Sequence, residues 1–131
     1  MKKNGILNRD INNILGKLGH TDKILIADLG LPIPENVYCI DLTLIQGIPS
    51  FNDVLTLISE EMLVEKYYVS EDIRTQNKKV EKEIMSVFPN TEVTYMKHED
   101  FKELSKEVKV IIRSGENTPY ANIILQSKCL F

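Results

Sequence analysis

Apolar residues along the chain follow two alternating patterns. The first is a short run of apolar residues, as in 23–28, which is typical of a buried β-strand. The second recurs every three or four residues, as at Val54, Leu55 and Ile58, and predicts the buried face of a helix. Together these patterns predict strands over 23–28, 37–42, 64–69, 92–96, 108–113 and 122–126, and helices over 51–62, 73–88 and 98–107.

A further helix is predicted near the N-terminus, where residues 11–18 carry apolar side chains at helical spacing. Asn8 or Asp10 can cap its first turn with a side-chain oxygen. Gly19 suits the end of this helix, because glycine readily adopts the positive φ that a helix C-terminus often needs. We therefore expect His20 to be the first residue beyond the helix.

Strands that alternate with helices predict a single α/β domain over residues 1–131, with a largely parallel central sheet flanked by helices. A chain of 131 residues is the size of one domain. Ligands of such sheets bind beyond the C-terminal ends of the strands. Asp28 ends one predicted strand and the loop 115–122 follows another, so both are expected near a ligand.

Composition and charge narrow the possible partners and location. The formal net charge is −3, so the basic surface of a typical nucleic-acid or anionic-membrane binder is not expected. The longest apolar runs have four residues, whereas a membrane helix needs about 20, and no apolar stretch of a secretory signal follows the basic N-terminus. Cys39 and Cys129 lie far apart and form no CxxC motif, which favours two reduced thiols. We predict a soluble, cytoplasmic protein.

Several common catalytic motifs are missing from the sequence. There is no G-x-G-x-x-G after a strand, no G-x-x-x-x-G-K-[ST], no G-x-S-x-G and no H-E-x-x-H. His20, His98, Asp28 and Asp41 show no metal-ligand spacing on one element, so no metal site is expected. Cys39 falls inside a predicted strand and is a poor candidate for a nucleophile.

The chain has only two histidines, His20 and His98, and both are predicted at the boundary of a helix. Histidine is the side chain that most readily exchanges protons near neutral pH, so each is a candidate acid or base and otherwise an inert surface residue. Asp28 closes an apolar strand, where a carboxylate is costly unless it is paired or faces a cleft. The alternative for Asp28 is an ordinary turn aspartate.

The segment 114–122 is dense in hydrogen-bonding groups. Tyr120 supplies a hydroxyl and a ring that can stack on the apolar face of a sugar, and Asn122 supplies an amide. A polyhydroxylated ligand needs this mixture of groups, although a polar turn without a ligand would also contain it.

Several segments together resemble the D-ribose pyranase family, to which the L-fucose mutarotases are related. The resemblance extends from the N-terminus to Leu130 and Phe131, and it is specific because Gly19-His-Thr-Asp22 and Thr118-Pro-Tyr-Ala-Asn122 occur together. The segments that carry it are Lys3-Asn-Gly-Ile-Leu-Asn8, Leu18-Gly-His-Thr-Asp-Lys23, Ile26-Ala-Asp-Leu-Gly-Leu-Pro-Ile-Pro34, Ile40-Asp-Leu, Glu60-Glu-Met, Val64-Glu-Lys and Gly115-Glu-Asn-Thr-Pro-Tyr-Ala-Asn-Ile-Ile-Leu-Gln126.

This resemblance implies an isomerase that interconverts the pyranose and furanose forms of D-ribose by general acid–base catalysis and feeds ribose catabolism. It places the proton-transferring histidine on His20. On chemical grounds we expect Asp28 either to orient that histidine or to bind a sugar hydroxyl. The resemblance implies a decamer of two stacked pentameric rings, sites at subunit boundaries, and no metal or organic cofactor. The sugar-binding positions that it implies are Asp28, His98, Tyr120, Ala121 and Asn122.

Three other functions stay open on the sequence alone. A mutarotase of another monosaccharide, such as L-fucose, would use a similar site. A non-catalytic sugar-binding module would bind sugar without accelerating exchange. An aldose–ketose isomerase would move a carbon-bound proton, and would therefore introduce deuterium at C2 in D₂O.

Overall fold

The computed structural model describes residues 1–131, which form six strands and five α-helices. A short 3₁₀ turn, Ser105–Glu107, follows the last helix. The elements are α1 Arg9–Leu15, β1 Lys23–Ala27, β2 Cys39–Asp41, α2 Phe51–Glu61, β3 Val64–Ser70, α3 Ile73–Gln76, α4 Lys78–Val87, β4 Glu92–Met96, α5 His98–Leu104, β5 Val110–Arg113 and β6 Ile123–Ser127. Every helix falls short of the length and apolarity that crossing a bilayer requires.

All six strands form one sheet in the order β2-β5-β1-β6-β3-β4. The pairs β2–β5, β1–β5 and β3–β4 are parallel, whereas β6 runs antiparallel to both of its neighbours, β1 and β3. The predicted α/β domain with a largely parallel sheet is therefore confirmed. Its single antiparallel strand, β6, joins two parallel groups.

Consecutive residues of the central strands pack on opposite faces of the sheet. In β1, Ile24 and Ile26 belong to the larger apolar cluster, which also contains side chains of α1, α2 and α4. Leu25 and Ala27 belong to the smaller cluster, which contains Phe101 of α5. Because helices cover both faces, consecutive residues in the middle of these strands are apolar, as the continuous apolar runs predicted.

The end of α1 differs from the prediction. The helix ends at Leu15, and the glycine after it is the C-cap residue, so Gly19 does not end the helix and His20 is not the first residue beyond it. The reason is local, because the Lys17 amide donates to the Ile14 carbonyl at 2.9 Å and closes the end with a tighter turn. His20 instead lies in the turn that leads into β1.

The predicted helix over 73–88 is divided into α3 and α4 at Asn77, whose backbone (φ −152°, ψ 64°) is not helical. The Asn77 side chain caps α4 by accepting a hydrogen bond from the Val80 amide at 3.3 Å. Its Nδ2 donates to Thr118 Oγ1 at 2.8 Å and to the Pro119 carbonyl at 2.7 Å. The break therefore ties α4 to the loop that precedes β6.

Candidate active site

One edge of the sheet gathers the C-terminal ends of the parallel strands and the start of the antiparallel β6. Asp28 follows β1, His98 follows β4 by one residue, and the segment 120–122 directly precedes β6. Side chains from these three places line a cleft of about 220 Å³, together with residues 30–32 and Pro119. The cleft thus lies where the sequence predicted a ligand site, beyond the strand ends.

Asp28 and Asn122 form the floor of this cleft and are both buried, with exposed fractions of 8% and 2%. The Asp28 amide donates to Asn122 Oδ1 at 2.8 Å, and Asn122 Nδ2 donates to Asp28 Oδ2 at 2.9 Å. This pairing meets the hydrogen-bonding needs of two buried polar residues. It also fixes the orientation of the Asn122 amide. The Asp28 backbone N–H can only donate and therefore faces the amide oxygen, whereas the Asp28 carboxylate accepts and therefore faces the amide nitrogen.

The other carboxylate oxygen of Asp28 organises the loop that follows β1. Asp28 Oδ1 accepts from the amides of Gly30 and Leu31, each at 2.9 Å. Burial raises the pKa of Asp28, and the hydrogen bonds from Gly30, Asn122 and Leu31 offset this rise only in part. Asp28 is therefore more easily protonated than an ordinary aspartate.

The loop before β6 presents Tyr120 in an uncommon backbone conformation, with φ at 57°. A tyrosine in the left-handed region is disfavoured unless its surroundings hold it there. Two observed features do so, because Asn77 binds the preceding Pro119 carbonyl and the following Ala121 is fully buried. Ala121 itself contributes buried backbone and packing, whereas Tyr120 and Asn122 line the cleft.

His98 is the first residue of α5, as predicted. Its ring meets the Tyr120 ring edge to face, with centroids 5.1 Å apart at 89°, and stacks on Phe101 at 6.4 Å. The Nδ1 atom of His98 is buried and has no hydrogen-bond partner. Because buried polar atoms are nearly always paired, an unpaired nitrogen on a residue that lines the cleft is suited to a polar group of a ligand.

His20 does not lie in this cleft. It is in the turn before β1, at the opposite edge of the sheet from Asp28. The five residues of β1 lie between the two edges, which corresponds to roughly 16 Å at the usual rise of a strand. Within one chain Asp28 therefore does not orient His20.

Other groups contact His20 and Asp41. His20 Nε2 is 2.9 Å from Glu65 Oε2 on β3. Asp41 is the last residue of β2 and pairs with Arg113 Nη1 at 3.0 Å, outside the cleft. Burial raises the pKa of the Cys39 thiol and so disfavours the nucleophilic thiolate, in agreement with the prediction that Cys39 is a poor candidate for a nucleophile.

Two residues near the candidate groups were not singled out from the sequence. Glu65 occurs in the Val64-Glu-Lys segment that supported the family resemblance, but nothing in its spacing pointed to His20. Asn77 occurs in a predicted helix, and only its low helix propensity could have suggested the break. Both act through contacts that are distant in the sequence.

The sequence and the fold are both similar to those of known proteins. A family model described as the RbsD / FucU transport protein family matches residues 1–130. The chain is 50% identical over 131 residues, 100% of both chains, to a Bacillus subtilis protein named D-ribose pyranase. The structure of Bacillus subtilis RbsD complexed with D-ribose superposes with a TM-score of 0.97 at 50% identity, covering 100% of each chain. The fucose mutarotase of Streptococcus pneumoniae in complex with L-fucose gives 0.81 at 25% identity, covering 95% of each chain.

Proposed function

The chain belongs to the RbsD / FucU transport protein family, and from this membership we propose that it is a D-ribose pyranase, an isomerase of the pyranose and furanose forms of D-ribose. The observation that carries the proposal is one cleft that contains Asp28, His98, Tyr120 and Asn122 in a chain 50% identical, over its full length, to a D-ribose pyranase. Ribose catabolism is the process that such an activity would serve.

The cleft has the groups that a ribose ring needs. Asp28 offers carboxylate oxygens, Asn122 an amide, and His98 a buried ring nitrogen without a protein partner. Tyr120 offers a hydroxyl and an aromatic edge beside the cleft. We assign these four side chains, with the backbone at Ala121, to sugar binding, since a few convergent polar groups beside aromatic surface are typical of small-ligand sites.

Besides breaking one C–O bond and forming another, the reaction requires only proton transfers. As the bond between C1 and the ring oxygen breaks, the ring oxygen gains a proton and the C1 hydroxyl loses one, which gives the open aldehyde. The C4 hydroxyl then adds to C1 and loses its proton, while the carbonyl oxygen gains one, which gives the furanose. General acid–base catalysis of such steps contributes roughly 10²–10⁴-fold. We assign the proton donated to the ring oxygen to His20.

His20 can act on a sugar in the cleft only if it comes from a second copy of the chain, because the two lie at opposite edges of one sheet. We therefore propose a homo-oligomer whose sites are shared between subunits, and specifically the decamer of two pentameric rings. Apolar side chains available for such contacts are exposed on the surface, among them Leu7, Leu44, Ile45, Ile48 and Leu57. No other partner is needed for the reaction.

We also propose a cytoplasmic location. Cys39 and Cys129 are free thiols, and free thiols are usual in reducing compartments. D-ribose is the only small molecule that the proposed reaction requires, so the protein would act without cofactor on sugar that has entered the cell.

Saturation-transfer NMR on D-ribose tests the proposed activity. Saturating a pyranose C1 proton should diminish the furanose signals far more with the protein than without it. A non-catalytic binding module would leave the transfer unchanged. An L-fucose mutarotase would accelerate exchange of L-fucose but not of ribose. An aldose–ketose isomerase would introduce deuterium at C2 of ribose in D₂O, which the proposed reaction does not.

A further inference from the structure

His20 and Glu65 are in direct contact through their side chains. His20 Nε2 lies 2.9 Å from Glu65 Oε2, and the two residues are 45 positions apart in the sequence. The Glu65 side chain is 27% exposed and the His20 side chain 51%. The carboxylate is thus the more enclosed of the two, and the imidazole extends from it towards solvent.

Glu65 is itself held in place by a chain of hydrogen bonds. Its Oε1 accepts from Gln126 Nε2 at 2.6 Å, and Gln126 Oε1 accepts from the Tyr68 hydroxyl at 2.8 Å. The hydrogen bonds from Gln126 and then His20 lower the pKa of Glu65, so Glu65 is ionised at neutral pH. An ionised carboxylate only accepts hydrogen bonds.

The backbone around His20 is fixed as well. The Gly19 amide donates to Asp22 Oδ2 at 2.8 Å, and the Thr21 amide donates to the Ser127 carbonyl at 3.0 Å. Rotation of the imidazole about its own side-chain bonds is therefore the main freedom left, and the contact with Glu65 restricts it.

We propose that Glu65 is the positioning residue for His20: it keeps the Nε2–H of His20 directed at the carboxylate, so that Nδ1 is the nitrogen that takes up a proton to form the imidazolium and then donates that proton to the ring oxygen of the sugar. This inference rests on the proposed function. Gln126 and Tyr68 support Glu65 in turn. Glu65 does not touch the sugar and acts only through His20.

The variant Glu65→Gln tests the proposal with little change in shape. Gln126 Nε2 still requires an acceptor, so the new amide oxygen faces Gln126 and the new NH₂ faces His20. His20 Nε2 must then accept, which moves the hydrogen to Nδ1 and reverses the tautomer. In hydrolytic triads the same exchange at the orienting carboxylate costs about 10⁴-fold in kcat.

The kinetic test measures ribose exchange by saturation transfer at several ribose concentrations. Glu65→Gln should lower kcat by about 10²-fold with KM unchanged, and in a His20→Ala background it should have no further effect. The control Glu103→Gln, which removes an exposed carboxylate paired only with Lys106, should leave both constants unchanged. A normal kcat in Glu65→Gln, or a changed KM alone, would overturn the proposal.

A second test reads the tautomer directly and needs no activity. Nitrogen-15 NMR of the sugar-free protein should show His20 with its hydrogen on Nε2, and Glu65→Gln should show it on Nδ1. A wild-type His20 with its hydrogen on Nδ1 would refute the proposed role of Glu65. If the tautomers are as expected but the wild-type protein does not accelerate ribose exchange, the proposed function fails while the pairing of Glu65 with His20 stands.

Discussion

Asp28 and Asn122 are 94 positions apart in the sequence and hold each other by two reciprocal hydrogen bonds, at 2.8 and 2.9 Å. Through these bonds the end of β1 and the start of β6 fix one another. The floor of the cleft is therefore rigid before any ligand arrives, which lowers the entropy lost when a ligand binds.

Replacing Asn122 with alanine should weaken both the fold and the binding of ribose. The buried Asp28 amide loses its acceptor, so the free energy of unfolding should fall by roughly 1–3 kcal/mol, and the ribose affinity by a similar amount. The fold should survive, since domains are typically stable by about 5–15 kcal/mol. Denaturant unfolding and calorimetric titration with ribose measure the two effects. Unchanged affinity in the titration would remove Asn122 from the site.

The raised pKa of Asp28 predicts how ribose affinity depends on pH. Ionised Asp28 accepts hydrogen bonds from sugar hydroxyls, and protonation removes part of that capacity. As the pH falls from neutral towards 3.8, the ordinary pKa of an aspartate, ribose affinity should begin to fall at a higher pH than it would with an unshifted carboxylate. Titrations of wild type and Asp28→Asn across this range isolate the effect, because the variant should bind weakly without this dependence.

The raised pKa of Asp28 affects the stability of the fold as well, and here the dependence on pH is opposite to that of ribose affinity. Because the pKa is raised in the folded chain, the folded state binds the proton more tightly than the unfolded state does. Stability from this group is therefore greatest below pH 3.8 and is lost as the pH rises through the raised value. The free energy of unfolding of the wild type should therefore fall relative to that of Asp28→Asn as the pH rises through this range, which chemical denaturation at several pH values measures. A relative increase would contradict the raised pKa of Asp28.

His20 and His98 should give different kinetic effects. His20→Ala should reduce ribose exchange by roughly 10²-fold or more at saturating ribose while ribose still binds, because it removes the proton donor. His98→Ala should chiefly weaken binding, because His98 lines the cleft and its buried Nδ1 has no protein partner. Saturation-transfer rates and titrations of both variants measure this ranking. If His20→Ala exchanges ribose at the wild-type rate at saturation, another group is the acid.

Two inactive variants should restore activity to each other if the site is shared between subunits. In a co-expressed mixture of His20→Ala and Asp28→Ala chains, some boundaries combine an intact His20 with an intact cleft. Random assembly in equal amounts makes about a quarter of the sites complete, because each site draws on two neighbouring copies. The exchange rate of the mixture measures this recovery. No recovery in a verified mixed oligomer would mean that each chain completes its own site.

The sequence predicted the elements well where local chemistry decides them. The apolar run of β1 and the spacing in α2 are both found close to the predicted bounds, because burial on a sheet or a helix face sets those patterns. The errors concern Gly19 and Asn77, because specific hydrogen bonds determine where α1 ends and where the predicted helix over 73–88 is divided. Asn77 broke a predicted helix because its partners are about 40 positions away, which no local pattern contains.

The site was predicted only in part for the same reason. The rule for strand ends brought Asp28 and the segment 120–122 together, and the structure places His98 with them. The position of His20 at the other edge of the sheet depends on where one helix ends and on a turn. Its contact with Glu65 depends on how β3 lies beside β6 and the turn before β1, which the sequence pattern did not indicate.

The antiparallel strand β6 has a consequence for how the protein is made on the ribosome. It is the last of the six strands to be synthesised, yet it lies in the interior of the sheet, between β1 and β3. Until β6 has left the ribosomal tunnel, β2, β5 and β1 have no strand pairing to β3 and β4. The sides of β1 and β3 that pair with β6 therefore stay unpaired until β6 is available, and the finished sheet can form only after residue 127 has emerged.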